Sequence, residues 1–486
     1  MTSKVLRNAA FQMMSQVVTT ALSWVLLLAL TGYLGDKGFG QLFFALSFAF
    51  IASVFLNLGI NTFLQKEVAR DSTEGQRLLA HAMSLKLGLA LIVYPLIMIV
   101  GRAMGVTGDP LAAIDIIGLG FVVGSFGQTF STYLQGEQLG WAPAAGLILE
   151  KLVVTVACVA LLWGGHGLVA VAWVHLAGAL ISTLYTGLVL YRRVPFALGF
   201  ELAQYRRIAK GAVPFMTFIV FGEIYVRVDV LMLGNMAGDD VVGWYGAAFR
   251  FYGTMLFITN IFMTTVFPAI TRKFANDHGD GEAGVATRRS FNLMMLVAVP
   301  VGLGMMLVAE HLVALTFKTD NFFHTIGNLQ ILGLSMILVC ATVGLGSALI
   351  ANDKQGTWAK ASIGAAALNP LLNWVFIPFF QNSMGNGGFG AAIATVITEA
   401  FMLIVAVRLM PAGIFNRSTS VSTLRALCAG LVMLLAAQPV MQLGLIPIVL
   451  VSVASYVAAV LVFRVLPQDD LHHIVHAVRN AAKRGA

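Results

Sequence analysis

The stretch IAKGAVPFMTFIVFGEIYVRVDVLMLG, residues 208–234, is mainly apolar and carries Glu223, Arg227 and Asp229 in its second half. About 20 apolar residues are enough to cross the hydrocarbon core of a bilayer as a helix. A charge near the bilayer centre costs at least ~2.5 kcal/mol on insertion scales, so three charges within two turns are not expected to face lipid. The stretch therefore predicts a membrane helix whose charged residues line a cavity or pair with one another.

The rest of the chain has the same character. Of its 486 residues, 58% are hydrophobic and only 11% are charged, whereas soluble domains carry roughly 25% charged residues. About 14 apolar segments of spanning length follow one another from residue 10 to residue 464, joined by short loops. The sequence predicts an all-α polytopic membrane protein with about 14 transmembrane helices and, at 467–486, an amphipathic cytoplasmic tail on the membrane surface.

Basic residues indicate the orientation. Most of the 30 lysine and arginine residues fall in the loops on the side of the N-terminus, whereas the other loops contain only Lys37, Arg102 and Lys318. Cytoplasmic loops carry the excess of basic residues, so a multi-pass topology with cytoplasmic N- and C-termini is predicted. Because the basic residues are confined to short loops, they do not indicate a nucleic-acid partner.

The chain also contains a weak internal repeat. Residues 34–41 (LGDKGFGQ) match residues 233–246, and residues 134–141 (LQGEQLGW) match residues 349–358, each pairing a segment with the sixth one after it. An even offset preserves orientation, which predicts parallel repeats about an axis along the membrane normal. We expect two six-helix lobes around a central cavity, at 1–192 and 193–410, and two further helices at 411–466.

Polar residues follow one face of each of the first two segments. Two interpretations remain open for them: hydrogen bonds between helices, worth about 0.6 kcal/mol each, or the wall of a wet cavity. The predicted cavity-lining residues are Gln12, Gln16 and Thr20 in segment 1, and Asn57 and Asn61 in segment 2.

The charged residues of segment 7 are expected to have separate partners. Glu223 and Arg227 are four residues apart and can pair on one helix face. Asp229 lies about 160° around the helix from Arg227, given 3.6 residues per turn. Its partner is therefore expected on another helix, with Arg250 of segment 8 as a candidate.

These charges are confined to the second repeat. Extending the alignment back from residues 34 and 233 places Trp24, Leu28 and Leu30 opposite them. The cluster is thus not required by the repeated scaffold, which favours a functional role. Lys86 in segment 3 and Glu399 in segment 12 are further charged residues predicted at membrane depth.

No enzyme motif is present. The sequence contains neither an HExxH metal motif nor a P-loop, and its loops are too short for a separate catalytic site. We therefore expect a non-enzymatic protein without metal or cofactor. Pro214 in segment 7, and Asn369-Pro370 and Pro378 in segment 11, are predicted to interrupt their helices beside a cavity.

Several short motifs together resemble the bacterial polysaccharide-repeat flippases, the Wzx-like O-antigen and exopolysaccharide transporters of the MATE-related superfamily. The resemblance covers nearly the whole chain. It is carried by residues 32–40 (GYLGDKGFG), 57–60 (NLGI), 67–70 (EVAR), 227–229 (RVD), 243–245 (GWY), 369–373 (NPLLN) and 390–394 (GAAIA).

The resemblance implies a V-shaped pair of lobes in the bacterial inner membrane that works by alternating access. The implied substrate is an oligosaccharide repeat on undecaprenyl pyrophosphate, moved from the cytoplasmic to the periplasmic leaflet. Arginine binds phosphate through a planar fork, so Arg227, Arg250 and Lys86 are predicted to bind the pyrophosphate. Asp229, Glu223 and Glu399 are predicted to couple transport to a proton or cation gradient or to the membrane potential.

Other functions remain open at this point. Within the superfamily the alternatives are a cation-coupled multidrug exporter, which basic residues at depth disfavour, and a lipid II flippase. A membrane glycan polymerase or ligase is an alternative of another class, although it would need a large periplasmic loop. Besides the lipid-linked substrate and membrane lipids, a polymerase and a chain-length regulator of the same pathway are expected partners.

Overall fold

The computed structural model describes residues 3–194, 198–275, 281–317, 320–410 and 414–465. In these ranges the regular structure is helical, which confirms the all-α fold. The α-helices are α1 (Ser3–Asn57), α2 (Ile60–Arg70), α3 (Ser72–Ala103), α4 (Asp109–Gly136), α5 (Trp141–Trp163), α6 (Leu168–Tyr191), α7 (Leu202–Met236), α8 (Asp239–Ala275), α9 (Glu282–Thr316), α10 (His324–Ala351), α11 (Gln355–Met384), α12 (Gly387–Leu409), α13 (Arg417–Ala437) and α14 (Leu445–Val462). The predicted tail at 467–486 lies outside the described residues.

The helices reproduce the predicted segments closely. Helices α3 to α14 correspond in order to segments 3 to 14, and α1 combines segment 1 with most of segment 2 across a kink at Gly35 (φ 68°, ψ −170°). Glycine adopts a positive φ without the steric cost that a Cβ brings. In the described part of the chain, 11 helices are long and apolar enough to cross a membrane. The protein is thus a multi-pass membrane protein.

The predicted interruptions at proline are wrong. Helix α7 runs through position 214, and α11 runs through positions 370 and 378, without a break. Proline is tolerated in membrane helices because neighbouring groups satisfy the freed backbone carbonyl. The observed interruption lies at Leu58–Gly59, between α1 and α2, where the sequence contains no proline.

The first compact unit comprises Met1–Gly246, Phe317–Phe322 and Asn373–Gly388. Here α1 packs on α4 and α5, α4 packs on α6, and α7 packs on α1, α2 and α3. A hydrophobic core between α2, α3, α4 and α7 includes Leu64, Leu79, Tyr133 and Ile208. Helix α7 thus belongs to the first unit, whereas the repeat assigns it to the second lobe. The lobes at 1–192 and 193–410 stay a prediction about internal duplication.

The second compact unit comprises Ala247–Thr316, Phe323–Leu372 and Phe389–Ala486. Helix α9 packs on α10, α13 and α14. Its core contains Val299, Leu345, Leu349 and Ala429. Helices α13 and α14, predicted as an appendix at 411–466, therefore share a core with α9 and α10.

Ion pairs fasten α7 at the end of the first unit where α1 begins. Arg207 contacts Glu74 at 2.7 Å and Glu67 at 3.1 Å, which joins α7 to α3 and α2. Arg77 contacts Glu201 at 3.1 Å, just before α7. Arg207 remains 42% exposed, so water and salt screen these pairs.

Removal of the Arg207 ion pairs is expected to have a small effect. Exposed ion pairs contribute about 1 kcal/mol or less, so Arg207→Ala should lower the free energy of unfolding by about that amount. The check is the melting temperature of the detergent-purified protein, which should fall less at high salt than at low salt. Arg206→Ala, at an exposed neighbouring position, is the control. A large, salt-independent loss for Arg207→Ala would contradict the interpretation.

Candidate functional site

The second membrane crossing is broken between α1 and α2. Leu58 (φ 39°) and Gly59 (φ 80°) both adopt left-handed backbone conformations. A positive φ is uncommon outside glycine. Residues with such a strained backbone persist only where the surrounding structure holds them in place, and they cluster at functional sites. No side chain caps the start of α2 within the described residues. Its first-turn N–H groups are therefore left without helical partners.

The break packs directly against the backbone of α7. A Cβ atom at position 59 would lie 2.6 Å from the carbonyl oxygen of Ala212 and 3.1 Å from Cβ of Phe215. Glycine is required at this position both by the backbone conformation and by the space. Helix α7 thus packs tightly on the second crossing where its hydrogen-bond ladder is interrupted.

Lys86 of α3 lies next to this break and is fully buried. Its Nζ donates to Asn57 Oδ1 at 2.6 Å and to the Ser125 carbonyl oxygen at 3.0 Å. Among the residues that the structure describes, no carboxylate oxygen lies within 4 Å of this nitrogen. Burial of a cation without an anionic partner costs free energy. The hydrogen bonds that Lys86 donates are therefore expected to have a structural or functional role.

Amide side chains extend from Lys86 to the surface of the unit. Asn57 Nδ2 donates to Gln128 Oε1 at 3.0 Å, and Asn61 Nδ2 lies 3.0 Å from Asn57 Oδ1 and 3.3 Å from Gln128 Oε1. Thr129 Oγ1 donates to Asn61 Oδ1 at 3.0 Å. Asn57 and Asn61 are half-buried and Gln128 is exposed. The network thus hydrogen-bonds helices together and also presents an exposed polar edge.

The polar residues on the predicted face of segment 1 differ from one another in burial and in hydrogen bonding. Gln12 is half-buried and donates to the Gly140 carbonyl oxygen at 3.1 Å, so it ties α1 to the start of α5. Gln16 is exposed and Thr20 is half-buried. Interhelical bonding therefore describes Gln12, whereas a cavity-lining role for Gln16 and Thr20 stays a prediction.

Arg227 of α7 stacks on an aromatic ring. Its Cζ lies 4.0 Å from the centroid of Phe50 on α1, and Phe50 contacts Phe121 of α4 edge-on at 5.9 Å. No nitrogen–oxygen pair of Arg227 and Glu223 lies within 4 Å. The predicted contact pair does not form, because the side chain follows the Phe50 ring. Arg227 Nε is buried without a hydrogen-bond partner among the described residues.

Asp229 points to another helix, as its position in the sequence predicts. It is 3% exposed, accepts a hydrogen bond from the Tyr245 hydroxyl of α8, and accepts another from the Val230 N–H at 2.8 Å. The partner is Tyr245 rather than Arg250. Arg227 and Asp229 thus have separate partners, and Glu223 is half-buried on the same helix.

The remaining charged candidates lie in the second unit. Glu399 is 6% exposed and lies near Cys340, whose Sγ is 3.0 Å from Thr259 Oγ1. Arg250 is half-buried in α8. Their predicted roles stay predictions.

Helices α1 and α4 together form two layers of side chains in the first unit, Phe50 with Phe121 and Asn57 with Gln128. Phe50 and Asn57 are seven residues apart on α1, as are Phe121 and Gln128 on α4, which corresponds to about 10 Å along each helix. Arg227 contacts the first layer and Lys86 contacts the second. The structure therefore brings the predicted Arg227, Lys86, Asn57 and Asn61 into two adjacent layers along α1 and α4.

Sequence reasoning missed three residues of this site: Phe50, Gln128 and Tyr245. Gln128 is a polar residue inside an apolar segment, a signal that was available. Tyr245 lies in the motif 243–245, although nothing in the motif indicates its partner. Phe50 is one of 33 phenylalanines, so only the fold distinguishes it.

Known proteins provide an independent comparison. A family model described as polysaccharide biosynthesis protein matches residues 5–274. The probable low-salt glycan biosynthesis flippase Agl15 of Haloferax volcanii is 22% identical over 382 residues, which cover 76% of this chain and 75% of that protein. The probable flippase AglR of the same organism is 25% identical over 188 residues, or 38% of each chain.

Solved structures show a similar fold. The lipid II flippase MurJ in an inward closed conformation superposes with a TM-score of 0.76 at 14% identity, covering 94% of this chain and 99% of the other. A multidrug resistance MATE transporter of the MOP superfamily, facing inward, gives a TM-score of 0.61 at 16% identity and covers 80% of this chain and 92% of the other. At these identities the likeness concerns the fold.

Proposed function

The chain belongs to the polysaccharide biosynthesis protein family, and from that premise we propose that it is a flippase for a lipid-linked oligosaccharide. The proposed substrate is an oligosaccharide repeat on undecaprenyl diphosphate, moved from the cytoplasmic to the periplasmic leaflet of a bacterial inner membrane. The description of Agl15 as a glycan biosynthesis flippase supports this assignment. The protein performs no chemistry on the substrate in this proposal.

The observation that carries the proposal is the stacked, partly unpartnered guanidinium of Arg227. A diphosphate is an anion that must cross a medium of low dielectric constant. Stacking on Phe50 at 4.0 Å holds the guanidinium plane by a cation–π contact and leaves its edge for phosphate oxygens, which it binds bidentately. Lys86, in the adjacent layer, is fully buried and donates to Asn57 and to the Ser125 carbonyl oxygen, so the contact with the pyrophosphate that the sequence predicts for it is not part of this proposal.

We propose alternating access as the mechanism. The interrupted crossing at Leu58–Gly59 supports it, because discontinuous helices border the substrate sites of many transporters. Asp229, Glu223 and Glu399 are proposed to couple transport to a proton or cation gradient or to the membrane potential. Arg250 is a further proposed phosphate ligand. A polymerase and a chain-length regulator of the same pathway are proposed partners, and both termini are proposed to be cytoplasmic.

A lipid II flippase is the second candidate, favoured by the fold similarity to MurJ. In both candidate functions the transported lipid carries a diphosphate on a polyprenyl chain. The two lipids differ in the group that is attached to the diphosphate. A multidrug exporter would have to accommodate the unpaired cations Lys86 and Arg227 in a site for organic cations. A glycan polymerase or ligase stays an alternative of another class.

Reconstituted vesicles test the proposal directly. The purified full chain is placed in liposomes that contain undecaprenyl diphosphate linked to a fluorescent oligosaccharide. A membrane-impermeant quencher, added outside, then reports the fraction of this lipid that is exposed in the outer leaflet. The proposal expects the exposed fraction to rise only with the protein present. Equal transport of lipid II would favour the second candidate. Transport of neither lipid, together with drug export, would overturn the proposal.

Arg227→Ala is expected to abolish transport of the glycan lipid while the protein still reaches the membrane. Its alkyl stem and stacking face are lost together with the charge. Surface glycan display in cells and flipping in vesicles are the measurements, with protein amount checked by immunoblot. Arg102→Ala is the matched control, since Arg102 is exposed and pairs with Asp115 at 2.9 Å. Normal surface glycan display by a well-expressed Arg227→Ala protein would contradict the assignment of Arg227 to diphosphate binding.

A further inference from the structure

Five amide side chains of the first unit form a row that we call the amide ladder: Asn57, Asn61 and Gln65 of α1 and α2, and Gln128 and Gln135 of α4. We propose that the amide ladder, oriented by Lys86, binds the sugar moiety of the transported lipid. This inference rests on the proposed flippase function and deepens it, since it separates sugar recognition from diphosphate binding.

The ladder is exposed at a depth where lipid would otherwise be. Gln128 is exposed although it lies eight residues before the last residue of α4, which is about 12 Å along the helix. The side chain that α3 exposes next to Lys86, at the level of Ser125 on α4, is apolar, namely Leu87 (42%). An amide facing hydrocarbon leaves its polar groups unsatisfied, so the exposed edge of the ladder faces water or a polar substrate.

Lys86 sets the direction of the hydrogen bonds. A lysine ammonium donates only, so Asn57 must turn its Oδ1 towards Nζ at 2.6 Å. Its Nδ2 then faces Gln128 and must meet the carbonyl oxygen of that amide, at 3.0 Å. Asn61 Nδ2 contacts the same Gln128 oxygen at 3.3 Å. A single buried cation thereby fixes the orientation of three amides.

As a consequence, the exposed edge of the amide ladder presents side-chain N–H donors. With Gln128 Oε1 occupied twice, its Nε2 is directed away from the network. Gln65, which is exposed, donates its Nε2 to Oε1 of the half-buried Gln135 at 3.4 Å, so this pair does not use the Nε2 of Gln135. Neither Nε2 has an acceptor within hydrogen-bond distance among the residues that the structure describes.

A row of neutral donors suits a ligand rich in neutral acceptor oxygens. Hydroxyl and ring oxygens of a glycan meet this description and do not require a formal charge. Gln128 and Gln135 are seven residues apart on α4, about 10 Å, which matches a short oligosaccharide rather than a single group. Arg227, on the adjacent layer, remains available to the diphosphate.

The test compares two carrier lipids on the same protein. Binding of undecaprenyl diphosphate, and of undecaprenyl diphosphate linked to a neutral trisaccharide, is measured by native mass spectrometry of the full chain. The wild type should bind the glycosylated lipid more tightly. Gln128→Leu should weaken binding of the glycosylated lipid about tenfold, the loss of one good hydrogen bond, and leave undecaprenyl diphosphate unchanged.

Lys86→Met and Lys86→Arg test the orienting role. Lys86→Met removes the obligatory donor, so Asn57 and Gln128 can turn over, and the preference for the glycosylated lipid should fall. Lys86→Arg keeps a donor and should retain most of that preference. Gln438→Leu is the control, because Gln438 is exposed in the second unit and lies outside the ladder. Melting temperatures identify variants that are simply unfolded.

The outcomes are distinguishable. If Gln128→Leu and Lys86→Met weaken both lipids equally, or if the wild type does not discriminate between them, the ladder does not recognise sugar and the inference is overturned. If the wild type binds neither lipid, the proposed flippase function fails as well. A loss confined to the glycosylated lipid, absent in Gln438→Leu, supports the inference.

Discussion

Gly40→Ala is expected to destabilise the protein by about 3 kcal/mol or more and to abolish transport. A Cβ atom at position 40 would lie 1.7 Å from the carbonyl oxygen of Asp239, and one at Gly243 would lie 2.2 Å from that of Asp36. Neither carbonyl oxygen can move away as the end of a flexible side chain would. Inserting an extra methylene into a well-packed core typically costs about 1–3 kcal/mol, and occasionally more. Backbone contact at this distance is therefore specific to glycine.

Side chains reinforce the same contact. Gln41 Nε2 donates to Asp239 Oδ2 at 2.8 Å, and Trp244 Nε1 donates to Asp36 Oδ2 at 3.2 Å. The two segments, 34–41 and 233–246, are those that the internal repeat pairs. The kink of α1 and the start of α8 thus form a reciprocal contact at the end of the unit opposite the N-terminus.

Melting temperature in detergent and flipping in vesicles measure the effect of Gly40→Ala. Gly32→Ala is the matched control, since Gly32 lies in the same helix and a Cβ there meets nothing within 4 Å. Gly243→Ala should reproduce the loss from the other side. Wild-type stability and transport for both Gly40→Ala and Gly243→Ala would show that the close contact is not required.

Gly59→Ala is the second substitution with a large expected effect. Alanine at φ 80° has a strained backbone, which costs about 1–3 kcal/mol, and its Cβ would lie 2.6 Å from the Ala212 oxygen. The strain can be relieved only if α7 moves away or the break straightens. Either change would displace Asn57 and Asn61, which flank the break and hold the Lys86 network.

The loss should therefore appear in both stability and glycan-lipid binding. Gly88→Ala in α3 is the control, because a Cβ there has no neighbour within 4 Å. Differential scanning fluorimetry and native mass spectrometry with the glycosylated carrier lipid are the measurements. A Gly59→Ala protein that melts and binds like the Gly88→Ala protein would contradict a structural role for the break.

Much of the fold follows from the sequence, and the errors have identifiable causes. Hydropathy predicts α3 to α14 because each must satisfy its backbone internally in lipid. The proline rule failed in α7 and α11 because neighbouring groups can compensate a missing N–H. The break at 57–60 (NLGI) carried only a glycine as its signal, and glycine is frequent in this chain, at 49 residues.

The site shows the same division. Helical periodicity was enough to separate Arg227 from Asp229, and the structure gives them Phe50 and Tyr245 as partners. The expected Glu223–Arg227 contact failed because spacing on one helix permits a pair without requiring it. A stacked position on Phe50 was available to the guanidinium, and this position depends on how α7 packs on α1.

The sequence by itself determined a multi-pass helical membrane protein with charges at membrane depth, because length, apolarity and helical period are local properties. The tertiary structure decided where Lys86 donates, which way the amides of Asn57 and Gln128 face, and why positions 40 and 59 must be glycine. These features depend on backbone and side-chain atoms from helices far apart in sequence, and only packing brings those atoms within hydrogen-bond or van der Waals distance.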